Sequence, residues 1–472
     1  MRNEIIFYLN GEKHLVSGEK VYWPLSRYIR ECAGKTGTKV VCAEGDCGAC
    51  TVLISNHSTD DFYSINSCIS PIFTNDAKHI VTIEGLSLLQ EGSNTISKAL
   101  AHGNAAQCGF CSPGFVMSLA DLFEHNKKVD EQMIKDYTTG NLCRCTGYVD
   151  IIKSALCVDT SKYKSVKDFF LTPKHIAELS ALAQESLCLN FNARTVVIVT
   201  SLEELYSYRK KFPQAKLIAS ATDLGVLMNK GISKEQEFIF IGKIASLNTL
   251  NAQDDYINIG SNKTLTDVQK GLEEFYPEFS KFLDEFASPQ IKNRATLVGN
   301  IANGSPIGDT LPFLVSIEAI LVISSIRGTR ELPIDKFYKA YKDFDLLSDE
   351  IITAVKIPKP KDGTVLKLYK VANRTHLDIA TLSAAFYIKI DKSSLIEHLR
   401  IAYGGVAETV LRLEEIEKKY LDCSFTLETF EMIGKDISDS IKPLTDVRAS
   451  AEFRKSVARN LLSRLYYDLG GL

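Results

Sequence analysis

Hydrophobic and polar positions change period along the chain, and each change marks an element. The apolar run 5–9, the pair Asn10-Gly11 and the segment 14–16 read as a β-hairpin, since Asn-Gly accepts the positive φ angles of a two-residue hairpin turn. Short strands follow over 51–54 and 80–83, with one helix expected from 24 to 32. Beyond residue 112 the period turns helical. Val116, Leu119, Ala120 and Phe123 recur at three- and four-residue spacings behind Pro113, a residue suited to a first helical turn. Gly140 and Asn141 can end another helix, and the next begins within 148–156. From about Arg194 strands and helices alternate: strand 195–200, helix 202–211, strand 216–220, strand 238–241. The Lys/Ser-rich stretch 161–190 reads as a linker with one helix, and 286–312, dense in Asn, Gly, Ser and Thr, reads as a long loop.

At 472 residues the chain is too long for one hydrophobic core and calls for roughly three domains of about 150 residues. Its 45% hydrophobic and 24% charged residues with a net charge of −3 lack the basic excess that nucleic acid or an anionic membrane favours. The start carries no basic stretch ahead of a long apolar run, so no signal peptide is expected. The longest apolar region, 311–326, contains Glu318 and falls short of the roughly 20 residues of a spanning helix. A cytoplasmic location follows as the expectation.

Twelve cysteines in such a chain point to metal binding rather than disulfides, because cytosolic thiols stay reduced. Eight are grouped. Cys42, Cys47, Cys50 and the distant Cys68 have the plant-type ferredoxin spacing C-x4-C-x2-C…C, four thiolates for one [2Fe–2S] centre. Gly45 and Gly48 free the loop to bend so that amides point at the cluster sulfides. Together with the strands and helix around it, this is a β-grasp-like arrangement. Cys108, Cys111, Cys143 and Cys145 sit in two loops at helix starts, where amides and positive helix ends favour a second negative cluster. Zinc is the competing reading for both groups, with a zinc-stabilised scaffold without redox chemistry as its consequence, although zinc ribbons usually pair two C-x2-C motifs. Cys32, Cys157, Cys188 and Cys423 stand alone and are expected to be buried as small hydrophobes.

A ferredoxin-type loop followed by CGFCSPG and then NLCRCTGY resembles, in order and wording, the iron–sulfur part of the molybdenum hydroxylases, the xanthine dehydrogenase and aldehyde oxidase family. QIKNRATLVGNIANGSPIGD, residues 290–309, is similar to that family's flavin-domain signature, as is 337–358. YKVANRTHLDIATLSAAF and LRIAYGGVAETVLRLEE resemble the small α/β domain closing its flavin module. No G-x-G-x-x-G follows a strand, so the nucleotide site is not of Rossmann type.

The resemblance implies a multidomain α+β chain: a β-grasp ferredoxin-like domain (1–84), a four-helix [2Fe–2S] domain (85–160), the linker 161–190, an α/β FAD-binding domain (191–360) and a C-terminal α/β flavoprotein domain (361–472). It implies two [2Fe–2S] clusters and FAD. The FAD phosphate contacts would be Ala219, Ser220, Ala221, Thr222, Asp223, Leu224 and Gly225 in one loop. A second loop would supply Thr296, Gly299, Asn300, Asn303, Ser305 and Asp309, with Phe286 against the flavin ring and Asp378 reaching back toward it. Read without the family, Asp378 caps a turn and Phe286 is a helix-end core residue. Ser220-Ala221 and Val298 stand where relatives often carry glycine, which is accommodated if φ stays negative.

The molybdenum-cofactor domain is expected on a large partner subunit, in a hetero-oligomer expected to be a heterotetramer, this chain having the layout of the family's electron-transfer small subunit. Electrons from purine oxidation would pass through the helical-domain cluster, the ferredoxin-type cluster and FAD to NAD+. Aldehydes or N-heterocycles are the alternative substrates, since specificity resides on the partner. No catalytic acid, base or nucleophile is indicated.

Overall fold

The computed structural model describes residues 2–56, 61–89 and 94–471. By contact the chain divides into two units: Met1–Ala245 with Thr264–Thr266 and Ala287–Ala295, and Ser246–Lys263 with Asp267–Phe286 and Thr296–Leu472.

The first unit opens with β1 (Ile5–Leu9) and β2 (Glu12–Val16), paired antiparallel with Leu9 opposite Glu12. Asn10 and Gly11 take φ of 51° and 88°, as the hairpin turn requires. The helix α1 (Leu25–Glu31) and the strands β3 (Thr51–Asn56), β4 (Asp61–Asn66) and β5 (His79–Val81) complete a five-stranded sheet of order β2-β1-β5-β3-β4. Only β1 and β5 run parallel among these pairs. The strand expected over 80–83 stops at Val81, because Ile83 already begins the helix α2 (Ile83–Leu88).

Both faces of this sheet are buried, which is why β1 is an unbroken apolar run and not an alternating one. Ile5, Phe7 and Leu9 share a core with Leu25 and Ile29 of α1 and with Val196, Ile198 and Phe238 of a second sheet. Tyr8, Leu53, Phe62 and Val81 share another with Phe115, Leu119 and Leu122. These last residues lie on α4 (Ser112–His125), which with α3 (Thr95–His102), α5 (Glu131–Thr138) and α6 (Val149–Leu156) forms the four-helix region. Residues Gly114 to Phe123 of α4 are all buried, as expected of a helix apolar on most sides. Asn94 and Asp130 cap α3 and α5 by accepting from the amides of Ser97 and Met133, at 2.8 and 2.9 Å.

The segment 161–190 is not a linker with a single helix. It carries α7 (Val166–Phe170), α8 (Pro173–Ala183) and the start of a strand, Leu187–Phe191. Its Ser and Thr residues, which read as loop, are caps: Ser165 Oγ accepts from the Asp168 amide and Thr172 Oγ1 from the His175 amide. The strands Leu187–Phe191, Arg194–Ile198, Glu237–Phe240 and Lys216–Ile218 lie in that order, the last three parallel, with the helix Leu202–Lys211 between them in sequence.

In the second unit a five-stranded antiparallel sheet has the order Leu250–Ala252, Tyr256–Gly260, Ile351–Pro358, Ile320–Ser325, Gly328–Pro333. A second antiparallel sheet, Val365–Val371, Leu382–Ile390, Ile396–Gly404 and Leu411–Arg412, buries Phe386, Ile401 and Tyr403 with Phe430, Ile433 and Leu462 of the helices Leu427–Ser440 and Ala451–Asp468. The stretch 286–312, expected as a loop, contains the helices Pro289–Lys292 and Leu297–Asn303 and enters a third, Thr310–Ser316. Ser288 and Thr296 cap the first two, so the polar residues that suggested a loop are the devices that start helices.

The lone thiols are less buried than expected. Cys32 and Cys157 are exposed and Cys188 and Cys423 are half-buried. Among the described residues no helix is long and apolar enough to cross a membrane.

Candidate functional site

The first thiol group sits on the loop between α1 and β3 and on the turn after β4. Cys50 and Cys68 are 2% exposed, whereas Cys42 and Cys47 are half-buried. The loop can wrap this tightly because Ala43, Gly45 and Gly48 take φ of 57°, 81° and 67°. At Gly45 a side chain would also strike Ile69 Cδ1 at 2.7 Å. The Asn66 amide donates to the Gly45 carbonyl at 2.7 Å and holds the bend. Cys42 Sγ accepts from the backbone amides of Glu44 and Asp46, each at 3.4 Å. Hydrogen bonds from the Cys47 and Cys68 thiols, and then those amides, hold Cys42 far below the ordinary thiol range. The same contacts push Cys47 and Cys68 well up. Contact with Cys68 lowers Cys50 as well, against the cost of burial, so two of the four thiols are lowered and two raised, and a metal centre that binds them all must displace the remaining protons.

The second group lies where α4 and α6 begin. Gly109, Gly147 and Tyr148 take φ of 76°, 67° and 71°, and the Tyr148 hydroxyl accepts from the Cys143 amide at 3.0 Å. Cys143 Sγ accepts from the Thr146 hydroxyl at 3.2 Å, and against the cost of burial this bond lowers its pKa. Burial, and then its contact with Cys143, pushes Cys111 up to about 12. The Cys108 and Cys145 sulfurs stand 3.7 Å apart and are exposed. Two thiolates about 2.3 Å from one tetrahedral ion are about 3.8 Å apart, so this spacing suits a shared iron or zinc. Cys108 pairs with Cys145 and Cys111 with Cys143. Among the described residues no three His, Cys, Asp or Glu side chains gather around a position for one ion. Pairs of thiols suit a two-iron centre, and four sulfurs around one point, as zinc requires, are not what the second group presents.

The two groups meet through backbone. The Leu142 amide donates to the Cys47 carbonyl at 3.0 Å, and the Asn141 side chain to the Gly48 carbonyl at 3.3 Å. A Cβ at Gly48 would meet the Gly140 carbonyl oxygen at 2.3 Å, and one at Gly114 the Gly48 carbonyl oxygen at 2.3 Å.

The expected FAD residues fall in two places. In the first unit, Ala219 to Gly225 lead into the helix Leu224–Asn229, which lies on the first thiol loop. Asn229 donates to the carbonyls of Cys68 and Ala43 at 2.7 and 2.8 Å, and a Cβ at Gly225 would strike the Ile69 carbonyl oxygen at 2.1 Å. Ala221 has φ of 68°, so the negative φ that would have accommodated an alanine there is not adopted. The left-handed position costs roughly 1–2 kcal/mol, and it is where a glycine would be at ease. Val298 lies inside a helix and carries no such strain.

In the second unit, Thr296 Oγ1 accepts from the Gly299 amide at 3.0 Å, and the Thr310 hydroxyl donates to Asn300 Oδ1 at 2.6 Å. Lys342 donates to Asn303, and the Gly308 amide to the Ser305 carbonyl. Asp309 is paired at 3.0 Å with Lys370, both side chains at most 5% exposed. Burial raises the Asp309 pKa, against the opposing pull of Lys370. Asp309 Oδ1 is buried without a hydrogen-bond partner among the described residues, an acceptor that fits a donor on a bound group such as FAD. Lys370 was missed by sequence reasoning. Its position within YKVANRTHLD was the available signal, but a lysine in a strand, Val365–Val371, gives no hint of burial. Phe286 is half-buried. Asp378 accepts from the amides of Arg374 and Ile379 at 3.0 and 3.1 Å, the turn-capping arrangement.

Residues 82–156 match the [2Fe-2S] binding domain, 189–360 the FAD binding domain in molybdopterin dehydrogenase, and 367–469 the CO dehydrogenase flavoprotein C-terminal domain. Xanthine dehydrogenase of Emericella nidulans is 30% identical over 98% of the chain and 38% of its own length. Aldehyde oxidase 3 of Mus musculus is 26% identical over 99% of the chain and 39% of its own length. The chain therefore spans about two fifths of the length of the curated relatives it matches. Among solved structures, carbon monoxide dehydrogenase from Hydrogenophaga pseudoflava is 25% identical with a TM-score of 0.55, covering 57% of this chain and 94% of that one. Quinoline 2-oxidoreductase from Pseudomonas putida 86, 20% identical with a TM-score of 0.55, covers 59% of this chain and 98% of that one and shares the fold.

Proposed function

Since the chain belongs to the molybdenum hydroxylase family, as its iron–sulfur and flavin part, we propose that it carries electrons from a molybdenum cofactor on a partner subunit to NAD+ during purine oxidation. Bound clusters and FAD would supply one-electron carriers and a group able to exchange hydride with a nicotinamide. The reading is carried by one observation: the helix that follows Ala219 to Gly225 hydrogen-bonds the Cys68 and Ala43 carbonyls, while the Cys47 carbonyl accepts from Leu142, next to Cys143. The three cofactor-binding segments are thereby joined within one unit by hydrogen bonds onto backbone carbonyls.

In this reading Cys42, Cys47, Cys50 and Cys68 hold one [2Fe–2S] cluster, and Cys108, Cys111, Cys143 and Cys145 hold the other. Thr296, Gly299, Asn300 and Asn303 lie along the FAD diphosphate, and Asp309, fixed by Lys370, accepts from the bound group. The exposed Cys108 and Cys145, with Phe110 48% and Leu142 46% exposed beside them, form the face offered to the molybdenum subunit. The matches to xanthine dehydrogenases support the purine and NAD+ assignments. The match to aldehyde oxidase 3 keeps an aldehyde as the second reading, since the substrate pocket would belong to the partner.

The test is a visible spectrum with iron, sulfide and FAD counts, then both half-reactions. The chain alone should pass electrons from NADH to an artificial dye and should not oxidise xanthine. The molybdenum subunit should restore xanthine-dependent NAD+ reduction. A colourless protein holding zinc, or xanthine oxidation by the chain alone, would overturn the proposal. Gly299→Glu should lose FAD and keep its iron, because it sets a side chain and a negative charge beside the diphosphate. Full FAD content in that variant would place the diphosphate elsewhere.

A further inference from the structure

The segment 287–295 lies in the range matched to the FAD-binding domain, yet it belongs by contact to the unit that holds the cysteine loops. Its Gln290 is 1% exposed. The Gln290 side-chain amide donates to Ser118 Oγ at 2.9 Å and to Asn141 Oδ1 at 3.0 Å, and approaches Thr51 Oγ1 at 3.5 Å. The Ser118 hydroxyl itself donates to Asn141 Oδ1 at 2.7 Å. Asn141 therefore has its acceptor held by two donors, and its own amide reaches the Gly48 carbonyl at 3.3 Å. The next residue, Leu142, makes the backbone bond to Cys47. Gln290 also blocks movement from the other side, since a Cβ at Gly140 would meet its Oε1 at 2.2 Å. The three glycines at this junction, Gly48, Gly114 and Gly140, leave no room for a side chain of their own, so the two loops approach main chain to main chain with the Asn141 and Gln290 side chains packed beside the contact.

We propose that Gln290 is a positioning residue for electron transfer between the two thiol groups: by tying Ser118 to Asn141 it holds the Leu142 amide on the Cys47 carbonyl and fixes the separation and orientation of the two cysteine loops. The proposal rests on the cluster assignment above. Its chemistry is that of a buried polar network, in which a side chain with two well-placed donors restricts its acceptors, and removal of the donors leaves buried acceptors unpaired. A segment of the flavin-domain signature thereby controls a contact between iron–sulfur loops. The side-chain hydrogen bonds of Gln290 and Asn141 go to Ser118, Thr51, Gly48 and each other and not to a cysteine sulfur, so the effect passes through backbone geometry.

The test uses Gln290→Met in the full chain with its cofactors, which keeps the length of the side chain and removes both donors. Iron and sulfide counts should equal those of the parent. Hydrogen exchange at the Leu142 amide should accelerate about tenfold, the change that ~1.4 kcal/mol of lost clamping produces. The magnetic interaction between the two reduced clusters, read by electron paramagnetic resonance, should weaken. Ser118→Ala, which removes the other donor to Asn141 Oδ1 and one acceptor of Gln290, should give the same two changes at smaller size and serves if the first variant does not fold. Tyr163→Phe controls for general destabilisation, since it loses bonds to Glu124 and the Ala120 carbonyl away from the junction. It should leave both signals at parental values. Parental exchange and coupling in the Gln290 and Ser118 variants, or equal changes in the Tyr163 variant, overturn the proposal. A parent chain without two clusters defeats the cluster assignment itself, and the iron count separates that outcome from the other.

Discussion

The two cysteine groups differ in the way they meet solvent. In the first, Cys50 and Cys68 are closed off with Ile69, against which Val226 and Ile291 pack, and only Cys42 and Cys47 approach the surface. In the second, Cys108 and Cys145 are exposed, with Phe110 and Leu142 standing out beside them. The first loop is also held from three directions, by Asn66, by Asn229 and by the Asn141 amide at Gly48. The second is held by Thr146 on Cys143, by Gln107 on the Cys145 carbonyl and by the Leu142 amide on the Cys47 carbonyl. The difference teaches that one motif type can serve two ends: an enclosed group suits an internal relay and an exposed one suits exchange with another protein.

The strongest way to break the comparison is to remove one ligand of the enclosed group. Cys68→Ala should halve the iron content and leave the second group loaded, measured by iron analysis and by the paramagnetic signal of the survivor. An unchanged count would show that Cys68 is no ligand, and loss of all iron from a folded variant would show that the groups are not independent.

In protein stripped of metal, alkylation should label Cys108 and Cys145 well before Cys50 and Cys68, because reaction requires access to the thiolate. Peptide mapping after short exposure reads the order. Equal labelling would mean the enclosure of the first group depends on the bound metal.

Gly48→Ala should destabilise the chain by about 2–4 kcal/mol, combining a left-handed φ with a clash against backbone that cannot yield. Denaturant unfolding reads it. The same change at Gly109, whose φ is also positive but which has nothing within 4 Å of a Cβ, should cost only the conformational part, about 1–2 kcal/mol.

A further expected effect is a pH dependence. His125, at the end of α4, pairs with Asp121 Oδ1 at 3.1 Å and Asp61 Oδ2 at 3.2 Å, joining the helical region to β4. Burial opposes its charge, but the bonds to Asp121 and Asp61 outweigh that and raise its pKa to about 10. A folded pKa above the unfolded value of about 6.5 gives a stabilisation complete below about pH 6.5 and lost as pH rises toward 10. His125→Gln should remove that slope, with a loss near pH 6 of about 1–3 kcal/mol. A parental slope between pH 7 and 10 in the variant would assign it to other groups.

Much of the first 160 residues was legible because their chemistry is local. Asn10-Gly11, the C-x4-C-x2-C spacing with Gly45 and Gly48, and Pro113 at the head of α4 all act through neighbours in sequence, and the structure gives each the conformation its residue type favours. The same locality misled in 161–190 and 286–312. Ser165, Thr172, Ser288 and Thr296 belong equally to loops and to helix caps, and what selects the cap is a following segment that finds a surface to bury, such as Phe170 in the core beside Phe115. The grouping of eight cysteines was determined by sequence alone. Whether each group is enclosed was not, since burial of Cys50 and Cys68 depends on β4 and on a helix more than 150 residues away. Lys370 on Asp309 and Gln290 on Asn141 are likewise tertiary facts. A lysine and a glutamine carry no positional signature, and only the folded chain, by removing water from them, makes their partners obligatory.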